Sequence, residues 1–219
     1  MPATLAKLLL ALAAGAAPDA APNEIAVLTD GTRVARPTQW VSLRTEMPAL
    51  YGRWRDALDR GEQLQLTELF VAPSMLAEWR ESGDTVPRPG TNLLFVAQCP
   101  KTLSDGMPPD HADLDAMAQA MREEALARQQ REKSAGKKTY DVAFGPSRQA
   151  HSVVSVIRKE AGWGDDHQIY LLSNAAFWLD SRCLTLMLNG KEESMADVPR
   201  LIERTERLVE ETRAAATAR

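Results

Sequence analysis

Apolar residues recur along this chain at two spacings, and the spacing divides it into helices and strands. Near the C-terminus Val198, Leu201, Ile202, Thr205, Leu208, Val209 and Thr212 fall on one side of a 3.6-residue period, with Arg and Glu on the other. Asp197 stands at the N-cap position and Pro199 lies in the first turn, where a missing N–H costs nothing, so the pattern predicts an amphipathic C-terminal helix. In "PALYGRWRDALDRG" Leu50, Trp54 and Leu58 are four residues apart, predicting a helix that ends at Gly61. "PPDHADLDAMAQAMREEALARQQREK" predicts a longer one, capped by Asp110, with Asp113 near its positive end. Its apolar stripe runs through Leu114, Met117, Ala118, Met121 and Ala125.

Elsewhere the apolar runs are short and uninterrupted. "EIAVLTDGTRVARP" predicts a hairpin turning at Asp30-Gly31. "LQLTELFVAPSMLAEWRESG" is ambiguous in period and is read as a strand over 66–71 followed by a helix over 74–81. "TNLLFVAQC" (91–99) predicts a buried strand. The runs 151–160, 168–179 and 182–190 predict three more, with "FGPSRQ" (144–149) read as a turn. The last three are joined by "AGWGDDH" and "DS", connections too short for a crossover, which implies an antiparallel meander. The fold class is α+β.

Composition narrows the function more than it identifies it. The net charge of −4 lacks the basic face that a large nucleic-acid footprint requires, and "RQQREKSAGKK" (128–138) reads as a solvated helix end and linker. At the N-terminus Lys7 is followed by an uncharged run to Pro18, with Ala14-Gly15-Ala16 supplying small residues for a signal peptidase. Residues 1–16 are read as a signal peptide cleaved after Ala16, 17–23 as a linker and 24–219 as one domain. The alternative is an Ala/Leu-rich helix packed on a cytoplasmic protein. On the first reading the protein is periplasmic or secreted, with no integral membrane segment after cleavage, because the apolar run is shorter than the roughly 20 residues a spanning helix needs. Cys99 and Cys183 are open to two readings: a disulfide in an oxidising compartment, or buried inert thiols.

The order from residue 91 onward, a strand, an acidic-capped helix, a three-strand meander and then "SRCLTLMLNGKEESMADVPRLIERTERLVEE", resembles the PsbP-like α/β/α sandwich, named for the extrinsic photosystem II subunit. The resemblance is one of pattern over roughly residues 91–219. It implies an antiparallel sheet with helices on both faces and a partner-binding or assembly role, and it brings no catalytic residue with it.

Candidate chemistry is sparse. Asp165-Asp166-His167 lies between Gly164 and a strand run, and three consecutive side chains do not converge on one ion, so it is read as a turn and no metal is expected. His151 opens a strand run, and Cys99 or Cys183 on a neighbouring strand would complete a thiol–His pair; His151 and Cys183 are the weak catalytic candidates. No nucleophile elbow or phosphate loop is present, and no cofactor is expected. Trp163, between two glycines, is either packed over the sheet or an exposed recognition anchor. The best-fitting function is an exported, non-enzymatic protein that binds a protein partner in the periplasm or cell envelope. Two alternatives stand: a hydrolase or thiol enzyme using His151 with a cysteine, and a helper protein of a secretion system.

Overall fold

A computed structural model describes residues 23–61, 64–83, 92–99, 111–135, 141–147, 152–163, 166–179, 182–190 and 198–218. Strands β1 (Asn23–Val27) and β2 (Arg33–Pro37) form the predicted hairpin, and Gly31 takes the left-handed conformation its turn requires, at φ 81°. Then come β3 (Val41–Ser42), α1 (Leu43–Glu46), α2 (Pro48–Gly61), β4 (Gln65–Val71), α3 (Pro73–Ser82) and β5 (Leu93–Gln98). The second half comprises α4 (His111–Ser134), β6 (Asp141–Ser147), β7 (Ser152–Trp163), β8 (Asp166–Leu179), β9 (Arg182–Gly190) and α5 (Val198–Thr217). The caps predicted at Asp110 and Asp197, and residues 1–16 read as a signal peptide, lie outside the described residues.

The main sheet has seven strands in the order β3-β4-β5-β9-β8-β7-β6, every neighbouring pair antiparallel. Helices cover both faces, as expected for an α/β/α arrangement. On one face Leu186, Leu188, Leu171, Phe177 and Val154 pack against Leu201, Leu208 and Val209 of α5. The same cluster takes in Val34 and Leu28 of the first hairpin, which lies beside α5 as a separate two-stranded sheet. On the opposite face Leu66, Leu69, Phe95 and Met187 meet Leu50 and Tyr51 of α2 and Leu76 and Trp79 of α3. Farther along that face Val153, Ala176 and Trp178 meet Leu114 and Ala118 of α4.

Polar contacts position α5 within its apolar seat. The Thr205 hydroxyl shares a buried 2.8 Å hydrogen bond with Ser173 of β8, and the Ala35 N–H donates to Thr212 Oγ1 at 2.9 Å. Arg33 donates to the Ala218 carbonyl at 2.7 Å, tying the hairpin to the helix end. The hairpin turn is tied to the sheet as well. Asp30 accepts from the Thr32 N–H (2.9 Å) and pairs with Arg182 (3.2 Å). Burial alone would raise the Asp30 carboxyl, but the Thr32 hydrogen bonds and the Arg182 charge outweigh it and hold it below the usual carboxylate range.

The ambiguous run 64–71 resolves through a β-bulge. Leu66 pairs with Ala97 but Glu68 pairs with Val96, so Thr67 is an extra residue and the alternation slips by one. Leu66 and Leu69, three apart, thereby both reach the α2 face, a spacing a regular strand would split between faces. The Tyr51 hydroxyl closes the bulge from α2, donating to the carbonyls of Thr67 (2.9 Å) and Leu66 (3.2 Å). Burial, with the Glu68 charge nearby, pushes this phenol above its ordinary value, so it remains a donor. Tyr51→Phe is expected to remove the one donor shared by the buried Leu66 carbonyl and the part-buried Thr67 carbonyl, and to cost about 1–2 kcal/mol in urea unfolding. A midpoint unchanged from the wild type would show that the bulge holds without the hydroxyl.

Strand β6 departs from expectation. The segment read as a turn, "FGPSRQ", contributes its first four residues to β6, which pairs with β7 from Asp141↔Arg158 to Ser147↔Ser152. Gly145 and Pro146 argue against a strand in general, but β6 is the sheet's edge, the position where a strand proline is tolerated.

Candidate functional site

Cys99 and Cys183 form a disulfide. Cys99 follows β5 and its N–H donates to the Cys183 carbonyl of β9 (3.1 Å), so the bridge continues the ladder at residues directly opposite each other. Thr185 lies on the same side of β9, with its hydroxyl 3.4 Å from Cys99 Sγ, and Leu114 and Ala118 of α4 join the same apolar cluster. The chain has two cysteines and both are in the bridge, so neither sulfur is a free thiol. The thiol nucleophile suggested at Cys183 is therefore committed elsewhere. His151, its suggested base, lies outside the described residues.

Trp163 belongs to the β7–β8 hairpin. β7 pairs with β6 only as far as Arg158, and β8 pairs with β9 only from Leu171 onward. The β7–β8 ladder nevertheless continues through Lys159↔Tyr170, Glu160↔Ile169, Ala161↔Gln168, Gly162↔His167 and Trp163↔Asp166. Among the described residues these five pairs have no ladder neighbour on either side. They form a two-stranded arm that continues about 16 Å past the described ends of β6 and β9, at the usual rise per strand residue. Trp163 stands at its end.

This corrects the reading of "AGWGDDH" as a loop. Only residues 164–165 lie between the paired ends, and Asp166 and His167 belong to β8. Asp165 lies outside the described residues. Among the described residues no group of three or more His, Cys, Asp or Glu is placed to hold a metal.

The other four tryptophans pack in or against the core. Trp40 is buried with Phe70, Trp79 lies in the α3 cluster, and Trp178 is under α4. Trp54 packs edge-on to Phe95 at 5.3 Å. Trp163 alone lies on the arm.

Sequence reasoning missed a buried polar cluster at the opposite end of the sheet. Glu68 of β4 is buried and accepts from the Ser42 hydroxyl (3.0 Å) and the Leu69 N–H (2.9 Å). Arg36 lies over the Phe70 ring at 5.3 Å and pairs with Glu24 (2.9 Å). The signal was a lone glutamate inside the apolar run "LTELFV". Its hydrogen bonds fasten β3 and α1 to β4, a structural role. Ser42 is also the N-cap of α1, accepting from the Thr45 N–H.

No helix among the described residues is long and apolar enough to cross a membrane. Set against known protein families, characterised proteins and solved structures, the chain matches none of them.

Proposed function

We propose that this is an exported, non-enzymatic protein of the periplasm or cell envelope, with the PsbP-like sandwich as its scaffold, and that it binds a protein partner through the β7–β8 arm. The arm carries the reading. The five outer pairs of this ribbon are used by no other strand among the described residues, and an aromatic residue at such a tip is the kind of anchor that dominates binding energy. The disulfide is compatible with export, since such bonds persist in oxidising compartments. It also counts against the thiol-enzyme alternative, whose nucleophile would first have to be released from the bridge.

A photoreactive side chain at position 163, compared with one at Arg207 on the solvated side of α5, tests the reading in the native host. Cross-linking to one protein from 163 and not from 207 is expected. Trp163→Ala should weaken recovery of that protein roughly thirtyfold, the effect of a 2 kcal/mol anchor, with a melting temperature within about 2 °C of wild type. Undiminished recovery would refute the anchor. A melting temperature lower by roughly 5 °C or more would assign Trp163 to packing instead.

A further inference from the structure

The main sheet is built from two halves, each continuous in sequence. Strands β3, β4 and β5 come from residues 41–98, and β6 to β9 from residues 141–190. Among the described residues the halves meet along a single ladder, the six pairs from Leu93↔Asn189 to Gln98↔Leu184. The disulfide lies at the end of this seam, one position beyond its last pair, and links residues 84 apart. Cys99 is 6% and Cys183 3% exposed, so a reductant reaches the bridge only when the seam opens.

We propose that the Cys99–Cys183 bridge is a redox lock on the seam between the two half-sheets: reduction makes opening of the seam far more frequent, and oxidation holds it closed. The oxidant is a disulfide of a thiol–disulfide oxidoreductase. One cysteine, as its thiolate, attacks that disulfide, forming a mixed disulfide and releasing one thiol of the oxidant. The second cysteine then attacks the sulfur of the first, forming the bridge and releasing the other thiol. Two electrons and two protons pass to the oxidant. Register limits when the second step succeeds: the sulfurs come together only when Gln98 stands opposite Leu184, so closure records correct seam pairing. Thr185 adds to this, because its hydroxyl reaches Cys99 only with β9 in place.

The test compares the oxidised full chain with C99A/C183A and with wild type held reduced. Losing a cross-link over a loop of this length should lower the folding constant about a thousandfold and the melting temperature by roughly 10–15 °C. Complete loss of the transition in the variant also supports the lock, provided oxidised wild type taken through the same refolding regains its transition. Under native conditions thiol labelling after addition of dithiothreitol should proceed no faster than unfolding. A variant melting within about 3 °C of wild type would overturn the proposal. So would rapid reduction that leaves the melt unchanged. In the host, newly made chain should carry two alkylatable thiols and be protease-sensitive, then lose both properties together. A pool with both thiols free and as protease-resistant as the oxidised chain would overturn the lock while leaving the arm reading, tested at Trp163, untouched.

Discussion

A chain ending before Lys191 is expected to lose cooperative unfolding altogether. Such a chain lacks α5, whose Val198, Leu201, Leu208 and Val209 are buried against the sheet. Burying a side chain of this kind contributes about 1.5–3 kcal/mol, so the four together contribute about 6–12 kcal/mol. That matches most or all of a domain's usual margin of about 5–15 kcal/mol. Removal also strips the cover from Leu186, Leu171 and Phe177 and leaves Ser173 and the Ala35 N–H without their α5 partners, Thr205 and Thr212. Surviving native-like structure should bind a hydrophobic dye and melt without a sharp transition. A truncated chain that melts sharply near the full-length temperature would show α5 to be an appendage.

The reason α5 was legible from the residues alone is that its information is local. One face repeats at helical spacing, and nothing distant has to be known to read it. The same holds for α2 and for the Asp30-Gly31 hairpin, whose turn chemistry lies within the turn itself. Strand β6 was not legible, because Gly145 and Pro146 are turn formers until the segment is known to be an edge, and its position at the edge depends on the long connection from β5 through α4. The Thr67 bulge was hidden for a related reason. Its cause is the need to place Leu66 and Leu69 on one face, and that need appears only when α2 and α3 are seen to share it.

The candidate site divides along the same line. That Cys99 and Cys183 both border strands could be read from the sequence, but their standing opposite each other depends on β9 returning to pair with β5 across the seam. The arm was partly visible as two long strand runs. Its extension past the described pairs of β6 and β9 was not, since that depends on strands distant in sequence. Glu68 shows the converse. An isolated carboxylate in an apolar run is a local signal, yet only the tertiary neighbours, Ser42 and the Tyr51-closed bulge, show that it fastens an edge rather than performs chemistry.

Neighbouring residues on β8 should respond very differently to substitution, because successive positions face different helices. Phe177 has no exposed surface and sits in the α5 cluster with Leu184, Leu186 and Val154. Phe177→Ala is expected to cost about 3–5 kcal/mol, combining lost transfer energy with a cavity the flanking ladders β7–β8 and β8–β9 cannot collapse. Trp178 is 7% exposed and faces α4 beside the disulfide, and its buried indole N–H has no hydrogen-bond acceptor among the described residues. Trp178→Phe therefore removes a donor that contributes no bond there, relieving a desolvation cost of about 1–3 kcal/mol. The smaller ring gives up part of that gain in packing, so the net change should stay within about 1 kcal/mol. Urea unfolding of the two variants measures the contrast directly. Equal losses would mean that the α4 face is as tightly built as the α5 face. A loss of roughly 3 kcal/mol or more at Trp178→Phe would mean that the indole N–H holds a partner after all.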